Sequence, residues 1–318
     1  MNKLLFLGVF LLLFSSLFSK QRIEIIVNDL GPLSRYQDIF VPIGFEVREC
    51  DLSRLKKGKI SSHVEKIIFM NTPERIKKYP LDKLPKEKMI LFMWEPPLWK
   101  KKMYSPKINS HFSRVYTWND DLVDGKTFFK FYYPSKKAMI TEIPPFEEKK
   151  FCTLINSSFT RHFPGELYSE RIKAIRFFEQ NEEEFEFYGK NWNAAEYPSY
   201  RGEIPDKIIV NKNYKFTICY ENCNLPGYIS EKIFDCFAAG SIPIYLGAPN
   251  IEEYIPKDCF IDWRDFSSLE ELYVFLKNMT EGEYEGYMER IRTYLDSEEA
   301  QVFSPEYFEE ILLWAVMA

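Results

Sequence analysis

The stretch from Tyr214 to Gly247 constrains this chain more than any other, because it sets two apolar runs on either side of a polar loop and a short helical pattern. Phe216 to Tyr220 reads as a buried strand, and Pro226-Gly227 then forces an irregular turn. Ser230 stands at the N-cap position, with Glu231 and Lys232 opening a helix. Ile233, Phe234, Phe237 and Ala238 share one face of that helix, Gly240 supplies a left-handed C-terminal cap, and Ile242 to Leu246 reads as the next strand. A strand, a crossover helix and a second strand predict parallel pairing in an α/β sheet.

Open parallel sheets bind ligands beyond the carboxyl ends of their strands, where helix N-termini present free N–H groups and a positive dipole end. Glu221, Asn222, Tyr228, Glu231 and Lys232 all fall there. A cation beside a helix N-terminus suits a diphosphate, and a neighbouring carboxylate can accept hydrogen bonds from ribose hydroxyls. By spacing alone, Glu231 and Lys232 read equally well as solvated first-turn charges.

Four segments carry a resemblance: Tyr220-Glu-Asn222, Gly227-Tyr-Ile-Ser-Glu-Lys232, Ser241-Ile-Pro-Ile-Tyr-Leu-Gly247 and Pro256 to Phe266. Their order and spacing resemble the donor-binding signature of the α-1,3/1,4-fucosyltransferases, glycosyltransferase family 10. The resemblance implies a GT-B fold, two Rossmann-like domains facing across a cleft, and GDP-fucose as donor. It implies that Asn222 and Tyr228 line the donor site, Glu231 holds the ribose and Lys232 binds the diphosphate. It also implies an inverting single displacement, which needs one base and no covalent nucleophile.

Two further positions follow from the same resemblance. Tyr168 to Phe178 reads as a helix with Ile172, Ile175 and Phe178 inward, and Arg171 best matches the family arginine that contacts the donor phosphate, with Arg161 and Arg176 nearby as competitors. Lys88 to Trp94 reads as a buried strand that ends at Glu95-Pro96-Pro97, where the prolines stop any continuation. Glu95 is the position that fits the family's general base. Rival readings are a GT-B enzyme for another nucleotide sugar and a non-catalytic carbohydrate-binding relative.

The rest of the chain alternates in the same way. Strands are expected at Ile23 to Val27, Lys66 to Met70, Lys88 to Trp94, Arg114 to Trp118 and near Phe128 to Tyr133, and Phe185 begins another. The division expected is 1–20 as a targeting segment, 21–140 as the acceptor-side domain, 141–303 as the donor domain and 304–318 as a final helix of the kind that returns to the first domain. Pro134 to Lys150, with three prolines and mixed charge, has linker composition. Helices are expected at Ser268 to Met279, opened by a Ser268/Glu271 capping box, and at Tyr307 to Met317, with Pro305 at a favoured first position.

With 318 residues and 46% hydrophobic content, the chain can fill two cores. Its net charge of −5 predicts no affinity for nucleic acid, and Lys100-Lys-Lys102 reads as a solvated face. Leu4 to Ser19 is apolar or small between Asn2-Lys3 and Lys20-Gln-Arg22, which resembles a secretory signal or a short membrane anchor. Either implies a lumenal or periplasmic location, Golgi-like in a eukaryote. The six cysteines are scattered, mostly in apolar positions, and read as small buried hydrophobes. Asn119-Asp-Asp121 and Asp262-Trp-Arg-Asp265 have the composition of acidic metal motifs, but Asp120 and Asp121 read better as loop or cap residues. The resemblance implies that cationic side chains neutralise the phosphates, so neither a metal nor an obligatory cofactor is expected. The partners expected are a nucleotide-sugar donor and a glycan acceptor.

Overall fold

The computed structural model describes residues 21–26 and 32–317. The apolar segment 1–20 lies outside the described residues. Two compact units result: one takes the described residues up to 118, 122–131 and 309–317, and the other takes 119–121 and 132–308.

In the first unit, β1 (Arg22–Ile26), β2 (Glu46–Glu49), β3 (Val64–Met70), β4 (Met89–Met93), β5 (Arg114–Thr117) and β6 (Phe128–Lys130) form one sheet. Its order is β2-β1-β3-β4-β5-β6, and every neighbouring pair is parallel. All five residues of β4 are buried, as a parallel strand covered on both faces requires. Ile67, Phe69, Leu91, Met93, Phe112 and Val115 are the middle of this core. β2 gave no sequence signal because only Val47 of its four residues is buried. The helix Pro305–Met317 ends in this unit, where the Arg114 guanidinium lies 5.3 Å from the Trp314 ring.

In the second unit, β7 (Lys150–Ile155), β8 (Phe185–Tyr188), β9 (Tyr214–Tyr220), β10 (Ile242–Leu246) and β11 (Ile261–Asp262) pair in the order β11-β10-β9-β7-β8, again all parallel. Strand order therefore reverses between β7 and β9. The carboxyl ends of those two strands are the switch point at which such sheets bind ligands.

The segment 134–150 is not a linker. Lys149, 3% exposed, donates to Gly240 O at 2.8 Å and Lys212 O at 2.6 Å, and Ile140 N–H donates to Ala238 O at 2.9 Å. These bonds tie it to the second unit, whatever its proline content suggests. The helix Tyr168–Asn181 also turns a different face inward than expected. Tyr168, Arg171, Ala174, Ile175 and Phe178 are buried, whereas Ile172 is 37% exposed. The spacing 168, 171, 175, 178 is a regular helical stripe, and an arginine occupies one of its positions.

Gly189, after β8, has φ +141° and approaches β7 so closely that a Cβ would sit 1.9 Å from Asn156 O. That oxygen already accepts from Trp192 Nε1 at 2.6 Å. Gly189→Ala is expected to lower unfolding free energy by at least about 2 kcal/mol. Urea denaturation checks this, and a loss below about 0.5 kcal/mol would mean that the turn relaxes freely.

Candidate functional site

β9 delivers Tyr220, Glu221 and Asn222 to the switch point, and the loop that follows turns at Gly227, with φ +74°, into the helix Glu231–Ala239. Ser230 occupies the N-cap position, but its side chain makes no capping bond. Its Oγ donates instead to the Glu221 carboxylate at 2.8 and 2.9 Å, and its N–H donates to Glu221 Oε1 at 2.8 Å. The Ser230 hydroxyl thus serves Glu221 rather than the first turn, where the Glu231 N–H is drawn to the Glu231 carboxylate.

Glu221 is the centre of the arrangement, and its side chain is 0% exposed. Lys232 Nζ donates to Glu221 Oε2 and to Ser230 Oγ, both at 2.9 Å, and the lysine side chain is 13% exposed. Burial by itself would lower the Lys232 pKa. The carboxylates of Glu221 and Glu231 outweigh it and hold the ammonium above its ordinary range. Glu231 remains 45% exposed and pairs with Lys207 at 3.0 Å. Lys232, followed by Lys207, keeps its carboxyl well below the usual carboxylate range although burial pushes the other way. Lys207 also lies 3.5 Å from Asp235, which pairs with Lys137.

Arg171 is 1% exposed. Its guanidinium donates to Tyr220 O at 2.7 Å and Asn222 Oδ1 at 3.0 Å, and it lies 4.7 Å from the Tyr168 ring. Asn222 Nδ2 in turn donates to Tyr228 Oη at 3.2 Å. The arginine thus fixes the Asn222 amide from behind, and the amide meets Tyr228. Arg171 pairs with neither Glu166 nor Glu170, because Glu166 takes the N–H groups of Tyr168 and Ser169, and Glu170 pairs with Lys173. Arg176 is engaged with Glu179 and Glu196 O, and Arg161 is exposed. Of the residues read from sequence, Arg171, Asn222, Tyr228, Glu231 and Lys232 gather in this unit.

Two residues that hold the site together had no role assigned from the sequence. Lys207 opens a five-residue helix with no motif around it, and Asn250 accepts from Gly227 N–H at 2.9 Å while donating to Asp120 at 2.9 Å. Asp120 also takes the Tyr254 hydroxyl at 2.8 Å, and Asp262 caps the turn Trp263–Asp265 and chelates Arg264 at 2.6 and 2.8 Å. Asp120 is a loop residue tied by these bonds, as expected, and Asp262 is a turn cap. All six cysteines are buried and free.

Glu95 belongs to the first unit. Asn71, 1% exposed at φ +64°, accepts the N–H groups of Trp94 and Glu95 at 2.9 and 2.8 Å, and Tyr104 Oη donates to Glu95 O at 2.9 Å. The backbone that carries this carboxylate beyond β4 is therefore held on both sides.

Residues 147–305 match the family model "Glycosyltransferase family 10 (fucosyltransferase) C-term". Among curated relatives, the mouse 4-galactosyl-N-acetylglucosaminide 3-alpha-L-fucosyltransferase 9 is 32% identical over 48% of this chain and 38% of its own length. The alpha-(1,4)-fucosyltransferase of Arabidopsis thaliana is 37% identical over 21% of this chain and 17% of its own. The chain thus spans well under half the length of the curated relatives it matches. A crystal structure of an alpha1,3-fucosyltransferase superposes with TM-score 0.61 at 13% identity, covering 96% of this chain and 94% of the other. An alpha-glucosyltransferase bound to UDP and DNA gives 0.57 at 12% identity, covering 94% and 99%. These likenesses show the fold, two parallel-sheet α/β domains of the GT-B type. The family model covers half of the sequence, including the whole of β7 to β11 and the Glu221–Lys232 site, and on that ground the chain belongs to glycosyltransferase family 10.

Proposed function

We propose that this protein transfers L-fucose from GDP-fucose to a hydroxyl of a GlcNAc-type glycan, in α-1,3 or α-1,4 linkage and with inversion. The observation that carries the reading is the Lys232 ammonium, kept charged by a fully buried Glu221 at the start of a helix whose N-cap side chain is turned away from it. A fixed cation at the positive end of a helix dipole suits a diphosphate, which gains charge as the glycosyl bond breaks. Glu231, half exposed and held ionised, accepts the ribose hydroxyls. Asn222 and Tyr228 line the sugar side, and Arg171 acts through Asn222 while adding positive potential from beneath. Glu95 takes the proton of the attacking hydroxyl as the new bond forms and GDP departs. No metal is invoked, because Lys232 and the helix dipole supply the neutralisation. A secretory location fits the segment 1–20.

Ligand-induced stabilisation tests the donor. GDP-fucose and GDP at a hundredfold excess over Kd should each stabilise the fold by about 2.7 kcal/mol, read as a rise in Tm, while UDP-sugars at the same concentration leave it in place. Stabilisation by UDP-sugars alone would overturn the fucosyltransferase reading.

A further inference from the structure

The helix Lys207–Asn211, only five residues long, is pinned at both ends. Asp206 caps it, accepting the N–H groups of Ile208 and Ile209 at 2.8 and 3.4 Å, and at the other end Lys149 donates to Lys212 O at 2.6 Å. Asn211 is buried and takes the Thr217 hydroxyl of β9 at 3.3 Å. An isolated helix this short is not stable in water, so these bonds rather than its own propensity hold it in place.

What this fixed backbone delivers is the Lys207 ammonium. It donates to Glu231 Oε1 at 3.0 Å and stands 3.5 Å from Asp235, one turn further along the helix Glu231–Ala239. Asp235, 6% exposed, is also paired with Lys137, so its charge is balanced without Lys207. Burial and the Lys232 ammonium push the Lys207 pKa down, and the Glu231 and Asp235 carboxylates outweigh both. Asn156, Lys207, Lys232 and Asp235 border a common cleft. Asn156 directly follows β7, which sets this cleft at the switch point between β7 and β9.

A half-exposed glutamate on a first helical turn samples several rotamers unless a partner holds it. An ammonium carried on a second, immobilised helix selects one arrangement before any ligand arrives. The cost of ordering the carboxylate then does not fall on binding.

We propose that Lys207 is a positioning residue for the donor: it holds the Glu231 carboxylate where it accepts the ribose hydroxyls, and so sets the preference of the site for ribonucleotides. The proposal rests on the donor reading above, in which Glu231 meets the ribose. Lys207 acts through Glu231 and touches neither the ribose nor the diphosphate.

The test titrates GDP and 2′,3′-dideoxy-GDP, which lacks both hydroxyls, into the full chain by calorimetry, alongside UDP and its dideoxy form. The native protein is expected to bind GDP at least about tenfold more tightly than the dideoxy form, the scale of hydrogen bonds to a charged acceptor. In Lys207→Met, and equally in Lys207→Ala, GDP should weaken about fivefold while dideoxy-GDP stays within about twofold. Lys207→Arg should keep the native ratio within about twofold, because a point charge suffices here. In a Glu231→Gln background, Lys207→Met should leave the ratio where that background has already put it. With GDP-fucose, Lys207→Met should raise KM about fivefold and leave kcat within about twofold, the pattern of a contact made equally in ground and transition states.

Equal weakening of GDP and its dideoxy form, as direct phosphate contact or a general loosening of the site would give, overturns the proposal. A ratio unchanged in both Lys207→Met and Lys207→Ala does so too. Transfer from GDP-fucose with a ratio indifferent to Lys207 leaves the transferase reading standing and removes this role. A UDP to dideoxy-UDP ratio that depends on Lys207, with no binding of GDP, would keep the role and sink the GDP-fucose reading.

Discussion

Glu95→Gln is expected to cut the kcat for fucosyl transfer by about 10³-fold while GDP affinity stays within about twofold. A positioned general base contributes roughly 10²- to 10⁴-fold, and a glutamine amide cannot take the proton of the acceptor hydroxyl. The substitution keeps side-chain volume, and the bonds from Asn71 and Tyr104 to the Glu95 backbone do not depend on the carboxylate. Glu95→Asp is expected to retain the base but withdraw it by one methylene, at a cost of about 10²-fold. Initial rates with saturating donor, paired with calorimetric titration of GDP, make the comparison. A glutamine variant with more than a tenth of native turnover would remove Glu95 from the chemistry.

The second large effect lies at Lys232. Lys232→Ala removes the cation proposed to meet the diphosphate and also leaves Glu221 buried, with Ser230 as its remaining side-chain donor among the described residues. Breaking a buried ion pair on one side costs about 3–5 kcal/mol, so urea unfolding should show a loss of that order. Transfer should fall by at least about 10²-fold, the scale seen when a transition-state charge contact is removed. The two consequences separate in the double variant Lys232→Ala/Glu221→Ala, which removes both charges. Much of the stability should return, because no unpaired carboxylate remains, while transfer stays lost. A stability change below about 1 kcal/mol in the single variant would show that Glu221 is not sealed as the structure has it.

The raised pKa of Lys232 has a definite sign. Its stabilising contribution is fully present below the ordinary lysine pKa of 10.5 and is lost only as pH rises through the higher folded value. Glu231, held low, contributes above its ordinary 4.5 and loses that contribution only as pH falls through the lower folded value. Neither group titrates between about pH 5 and 9, so an activity profile over that range reports on other groups.

Much of this arrangement is legible in the chain. The strands were recognisable because parallel strands are covered on both faces and therefore read as unbroken apolar runs, as in Met89 to Met93 and Phe216 to Tyr220. The helix at 231–239 announced itself by its start and its Gly240 stop, although burial runs all the way round it from Ile233 onward rather than along one face. The linker composition of 134–150 misled, since prolines mark irregular backbone and say nothing of what that backbone touches. Lys149 is buried there because two carbonyls from distant parts of the unit converge on its ammonium.

The sequence by itself determined the alternation of strand and helix, the position of the donor motif at a strand end, and the residue types gathered around it, because these depend on periodicity and on neighbours a few positions apart. The tertiary structure alone decided which charges are buried and what each one does. Arg171 reaches Tyr220 and Asn222 across 49 and 51 positions, Lys207 reaches Glu231 across 24, and Glu221 becomes the shared acceptor of Ser230 and Lys232 only when the loop between them closes. The cost of burying a charge is settled by its partners, and those are brought together by the order of strands in the sheet.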